Sequence, residues 1–248
     1  MASRMPRWRR VAVVVAVLAA LAAVIPVIPG SRHLTVPVMQ MLTGRKSVAE
    51  RMTEHGATVA ARLGPACQRV GVAYPPAEVA FLAFKDVKSL EVYARDDATT
   101  AWRQVTAYPI LAASGSGGPK LREGDRQVPE GIYGVESLNP NSLYHLALRV
   151  GYPNAFDRAR ARADGRTSLG GDIMIHGRND SIGCLAMGDR AIEDLFVVTA
   201  HAGIDHVSVI IAPTDFRSGS SPPAGGPSWV GELYAAITSA LTAFPAGR

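Results

Sequence analysis

The sequence predicts a mostly β domain with helices, an α+β fold, and three observations predict it. Short segments with two-residue apolar alternation recur between about Val79 and Pro213. Glycine- and proline-rich turns separate them. Stretches with three- and four-residue apolar spacing stand before, within and after that region.

The first element is a leader. Arg4, Arg7, Arg9 and Arg10 precede an unbroken apolar run from Val11 to Ile25, 15 residues, or 18 with Pro26, Val27 and Ile28. A basic start before an apolar run is an export or membrane-insertion pattern, and a bilayer span needs roughly 20 residues. Residues 1–30 are therefore expected to be a signal peptide or membrane anchor. That places the functional domain in the periplasm or cell envelope and confines membrane contact to the N-terminal segment. The leader also explains the basic pI of about 9.5. Its four arginines account for all but one of the formal +5, and no acid occurs before Glu50. The remaining Lys and Arg are scattered, with no basic stripe among aromatics, so nucleic acid is not an expected partner. With 48% hydrophobic and 19% charged residues, the rest reads as folded.

Residues 31–78 read as a helical segment, with Val48, Met52, His55, Val59 and Leu63 on one stripe and Gly64-Pro65 as its stop. Cys67, just beyond, reads as a buried structural residue. In the domain of residues 79–213, "VAFLAFK" and "SLEVYAR" form a hairpin pair, and Trp102 to Ile110 a further strand. "SGSGGPKLREGDRQVPEGIYGV" reads as a glycine-dense loop, "SLYHLALRVGYP" as an alternating strand and "GGDIMIHG" as a short apolar one. "MGDRAIEDLFVVTAHAG" reads as a helix with Asp189 as N-cap, Ile192, Leu195, Phe196 and Thr199 on one face, and Gly203 at its end. "HVSVIIAP" is the last strand. Residues 214–248 hold a flexible linker and a C-terminal helix.

The chemistry concentrates in "HGRNDSIGC", His176 to Cys184. A cysteine nucleophile needs a base to take its proton and donors for the oxyanion formed on attack. His176 ends a strand, and a loop this short can bring it back beside Cys184. Gly183 removes a side chain where backbone approaches substrate, and the N–H groups of Gly183 and Cys184 are candidate oxyanion donors. Two alternatives stand beside this one. Two cysteines in an exported chain suggest a Cys67–Cys184 disulfide. His176, Cys184, His201 and His206 are also possible metal ligands, although zinc sites favour closer spacings. His145 reads as a structural histidine.

"IMIHGRNDSIGCLAM" resembles the active-site signature of the L,D-transpeptidase catalytic domain, the YkuD-like family. "KSLEVYAR", "YPILAASG", "GPKLREGDRQVPEGIY" and "LNPNSLYHLALRVGYPN" agree in order, and the resemblance spans about Leu82 to Pro213. Gly124, Asp125, Pro129, Gly131 and Tyr133 stand in a motif typical of the family. Ile182 replaces the second histidine of Ser-His-Gly-Cys, the loop is short, and no arginine follows the cysteine closely; this resembles the YafK-like branch.

The resemblance implies a β-sandwich-like catalytic domain with a helix after the cysteine, Cys184 as nucleophile and His176 as its base. Gly177 would orient His176 through its carbonyl, and Ser181 and Gly183 would shape the oxyanion pocket. Tyr108, Lys120, Tyr133 and Arg178 become candidate substrate contacts, Tyr133 equally a core residue. No metal or cofactor is implied. A charged His176 would lower the Cys184 thiol pKa. The implied function is a peptidoglycan L,D-transpeptidase acting on diaminopimelate-containing stem peptides. The alternative is an amidase of the same fold that cuts the diaminopimelate–lysine bond to a peptidoglycan-linked lipoprotein. A live nucleophile also argues that Cys67 is unpaired.

Overall fold

Nine strands join into one curled sheet in the computed structural model, which describes residues 44–181 and 183–246. In chain order the elements are α1 (Val48–Arg69), β1 (Glu78–Phe84), β2 (Ser89–Arg95), β3 (Arg103–Pro109) and β4 (Ala112–Ala113). They continue with β5 (Gly131–Ser142), β6 (His145–Val150), α2 (Ala155–Ala163), β7 (Met174–His176) and β8 (Leu185–Ala186). The last three are α3 (Asp189–Ala202), β9 (Val207–Ala212) and α4 (Val230–Leu241). Contacts divide the chain into Met1–Lys46 and Ser47–Arg248, and every element named here belongs to the second unit. The expected leader, residues 1–30, lies outside the described residues; within them no helix is long and apolar enough to cross a membrane.

The strand order is β3-β2-β1-β9-β5-β6-β7-β8-β4. β1 and β9 run parallel at the middle of one half, and both are buried along nearly their whole length. Their near-continuous apolar sequences are what burial on both faces requires. Val79, Phe81 and Ala83 enter a core with Val59 and Leu63 of α1 and Leu195 and Phe196 of α3. Ala80, Leu82 and Phe84 face the other way, onto Leu233, Ile237 and Leu241 of α4. The two terminal helices thus cover opposite faces of the sheet. Each fully buried large apolar side chain contributes roughly 1.5–3 kcal/mol.

Several expectations are corrected. Gly64-Pro65 does not stop α1, which runs on to Arg69 with Cys67 inside it. Pro65 forfeits one helical hydrogen bond. Packing of Leu63, Ala66 and Cys67 outweighs that loss, and a Ser47–Glu50 capping box secures the other end. The last part of the expected glycine-dense loop is the start of β5, the longest strand. It pairs with β9 through Gly131–Gly134 and then with β6 from Val135 onward, across irregular register. The single strand expected over "SLYHLALRVGYP" is divided between the end of β5 and β6. Helix α2, capped by Asn154 and Asp157, was not expected. Gly188, at φ +79°, is the N-cap of α3, and Asp189 is its first residue.

The loop between β4 and β5 is organised by buried charge. Asp125 accepts from the backbone N–H groups of Leu121, Arg122 and Gln127 at 2.9–3.0 Å and from Lys120 Nζ at 2.5 Å. Burial alone would raise the Asp125 carboxyl, but these donors hold it below its ordinary range. Glu130, fully buried, accepts from Lys85, the Gly118 N–H and the Tyr234 hydroxyl of α4 at 2.8–2.9 Å. The C-terminal helix is therefore fastened to the loop that leads toward Cys184.

Candidate active site

Strand register brings the histidine and the cysteine together. β7 and β8 are parallel neighbours, with Ile175 beside Leu185 and His176 beside Ala186. Side chains alternate across a strand. Ile175 and Leu185 point into the core, so His176 and Cys184 share the opposite face, one diagonal apart. Both line a cavity of about 260 Å³, together with Asn139, Tyr144, Asp172 and Asp180. Cys184 also lines a second cavity, of about 180 Å³, with Lys120, Arg126 and Asp172. The thiol thus borders both recesses. A larger cavity, of about 440 Å³, is lined by neither Cys184 nor His176.

His176 is 3% exposed, and its Nδ1 lies 2.6 Å from the Gly177 carbonyl oxygen. A carbonyl only accepts, so Nδ1 carries the proton and Nε2 keeps its lone pair. The Tyr144 ring lies over the imidazole, with centroids 4.6 Å apart. Gly177 is required by crowding: a Cβ there would sit 2.6 Å from the Tyr144 carbonyl oxygen and 2.7 Å from Asp189 Oδ1.

Two serine hydroxyls hold the cysteine loop. Ser181 Oγ accepts from the Cys184 N–H at 3.1 Å and donates to the Cys184 carbonyl at 2.5 Å. The Gly183 N–H donates to Ser114 Oγ at 2.5 Å. Pairing of β4 with β8 places Ser114 there. Both candidate oxyanion donors are thus satisfied by hydroxyls, which an incoming oxyanion must replace. Gly183, at φ +95°, holds a left-handed turn that favours glycine.

The electrostatics differ from the expected thiolate–imidazolium pair. Burial pushes the Cys184 thiol up, and Asp172 adds to this against a lowering hydrogen bond from Met174 and the charge of Lys120. Burial pulls His176 down, against the raising effects of Gly177 and Asp180. Both shifts favour a neutral thiol beside a neutral imidazole.

Of the candidate substrate contacts, only Lys120 lines a cavity with Cys184, its Nζ held by Asp125 and the Arg122 carbonyl. Tyr108 turns toward α3 and donates to Asp194 Oδ2 at 2.8 Å. Tyr133 is a core residue, 4% exposed, donating to the Glu130 carbonyl. Arg178 pins the loop to the start of α3: its N–H and guanidinium both meet Asp189, at 2.9 and 3.0 Å. Ile182 lies outside the described residues. His176, Cys184, His201 and His206 do not gather as metal ligands, and both cysteines are free thiols. Ser114, Tyr144 and Asp172 were not singled out from sequence. Ser114 reaches the site from the end of β4, and Asp172 stands just before β7, four residues ahead of His176, with no local signal to mark either.

The model of the L,D-transpeptidase catalytic domain family matches residues 86–210. The Escherichia coli (strain K12) protein named "Putative L,D-transpeptidase YafK" is 37% identical over 137 residues, 54% of this chain and 52% of that protein. The chain therefore spans about half the length of the curated relatives it matches. Among solved structures, the helical cell shape determining protein Pgp2 from Campylobacter jejuni is 25% identical, with a TM-score of 0.45 over 56% of this chain and 48% of that one. Mycobacterium tuberculosis L,D-transpeptidase 1 is 14% identical, with a TM-score of 0.32 over 54% of this chain and 62% of that one.

Proposed function

The chain belongs to the L,D-transpeptidase catalytic domain family, and from that premise we propose that it is a peptidoglycan L,D-transpeptidase working through a Cys184 acyl-enzyme in the cell envelope. The observation that carries this is the pairing of a buried His176, its Nδ1–H committed to Gly177, with a thiol on the same face that borders two cavities.

Cys184 Sγ attacks the carbonyl carbon of a diaminopimelate residue in a stem peptide, and His176 Nε2 takes the thiol proton. The carbonyl oxygen becomes an oxyanion that draws the Gly183 and Cys184 N–H groups away from Ser114 and Ser181. Collapse breaks the amide bond, and His176 returns the proton to the departing D-alanine nitrogen. The thioester then meets an acceptor amine, which gives a cross-link and regenerates the thiol. Two cavities meeting at one thiol suit a donor strand on one side and an acceptor on the other. The roles of Ser181, Gly183 and Lys120 belong to this reading.

The test uses the full chain as wild type and as Cys184→Ala, each incubated with tetrapeptide muropeptides and with lipoprotein-bearing peptidoglycan. Products are read by mass spectrometry. Loss of D-alanine with new diaminopimelate cross-links, absent in the variant, is the expected result. Release of a lipoprotein without new links makes water the acceptor and the protein an amidase. Identical products from both proteins remove Cys184 from the mechanism.

A further inference from the structure

Behind the catalytic face, three elements converge on one carboxylate oxygen. Glu193 of α3 presents Oε1 to His145 Nε2 at 3.1 Å and to His55 Nδ1 of α1 at 3.6 Å. One ligand atom from each of the three residues lies within 4.8 Å of the others. We propose that His55, His145 and Glu193 form a binding site for a divalent transition ion of the zinc class, which staples α1 to the sheet behind His176.

Hydrogen bonding alone does not account for the cluster. A proton on His145 Nε2 serves Glu193 Oε1, but His55 Nδ1 at 3.6 Å is too far for a second bond. His55 Nε2 is buried and has no hydrogen-bond partner. Around an ion with bonds of about 2.0–2.1 Å, tetrahedral ligands stand roughly 3.3 Å apart, and the two Glu193 distances bracket that spacing. Two imidazoles and a carboxylate suit zinc, leaving a fourth position for water.

The neighbouring charges fit a cation. Arg62 binds the other Glu193 oxygen at 3.2 Å and the buried Asp194 at 2.7 Å, so the two carboxylates exceed the one guanidinium. Glu54, itself paired with Arg51, stands 3.9 Å from His55 Nε2, beyond hydrogen-bond reach, and adds a further carboxylate near the cluster. The site also touches the catalytic wall. Tyr144, which stacks on His176, immediately precedes His145, and a Cβ on Gly177 would meet His145 Cβ at 3.1 Å.

The test strips the full chain with a chelator and titrates it with zinc chloride by calorimetry, then with cobalt(II) by visible absorption. Cys184→Ser is run in parallel, because a thiol can also take the ion. Expected are one equivalent bound, a tetrahedral cobalt spectrum without a thiolate band, and a melting temperature raised by roughly 5–10 °C at about a hundredfold excess over Kd. Cys184→Ser keeps all three, and His55→Gln and His145→Gln lose them. Circular dichroism establishes that these variants fold; where one does not, the wild-type and Cys184→Ser titrations decide. No stoichiometric ion on the wild type overturns the proposal. So does a thiolate band that vanishes in Cys184→Ser, which places the ion on the nucleophile.

Discussion

The Nδ1 of His176 lies 2.6 Å from the carbonyl oxygen of its own neighbour, Gly177. One bond commits the imidazole to a single tautomer, and its acceptor sits in backbone with no room for a side chain. Gly177→Ala forces a Cβ to within 2.7 Å of two oxygens, so the carbonyl must shift. Displacement of a reacting group by about 1 Å costs on the order of 100-fold in rate. The expected result is a loss of that order in kcat/KM, with Cys184 still alkylatable. A variant as active as wild type would show that the Gly177 carbonyl does not set the base.

Cys184 and His176 are predicted to rest as a neutral pair, the thiol raised above its ordinary 9.0 and the imidazole lowered below 6.5, each by burial first. Iodoacetamide labelling of Cys184 should therefore climb with pH through the region above 9. The acid limb of kcat/KM should fall only below pH 6.5, where His176 takes up a proton. Labelling already at its plateau at pH 6 would mean a standing thiolate–imidazolium pair.

Tyr108→Phe separates support from substrate contact. The hydroxyl donates to Asp194, which is 2% exposed and also bound by Arg62. Hydrogen bonds to charged groups are worth roughly 1.5–3 kcal/mol. The variant should melt lower by a comparable loss of stability, while KM for the stem peptide stays unchanged. A raised KM with unchanged stability would return Tyr108 to the substrate site.

Asp157, in the capping box of α2, has its pKa pushed from 3.8 to about 6, chiefly by burial, against a lowering hydrogen bond from the Asn154 N–H. Between those values the folded state holds a proton that the unfolded state has released, so stability falls as pH rises and levels off above about 6. The difference amounts to roughly 3 kcal/mol. Denaturant titrations of wild type and Asp157→Asn from pH 4 to 7 should diverge by about that much, with the variant the flatter. Parallel curves would mean that Asp157 ionises normally.

The alternation of Leu90, Val92 and Ala94, and the spacing of Ile192, Leu195, Phe196 and Thr199, made β2 and α3 legible, because a single buried face writes its period into the chain. His176 and Cys184 were legible as nucleophile–base candidates because one short segment carries both, and Gly177 only through the family resemblance. β5 was not: Gly131 and Gly134 carry turn signals, and only pairing with β9 and β6 makes them strand. Pro65 likewise marks a local stop that burial of its neighbours overrides.

By itself the sequence determined most of the periodic elements, the family signature and the nucleophile–base candidates, all of which rest on short-range spacing. Tertiary structure alone decided that Tyr108 and Tyr133 face inward, that Ser114 reaches Gly183 from the β4 edge, and that Tyr144 covers His176. It also decided the burial that raises the Cys184 thiol. The physical reason is common to these cases: burial and strand pairing join residues separated by tens of positions, and desolvation has no signature in a local motif.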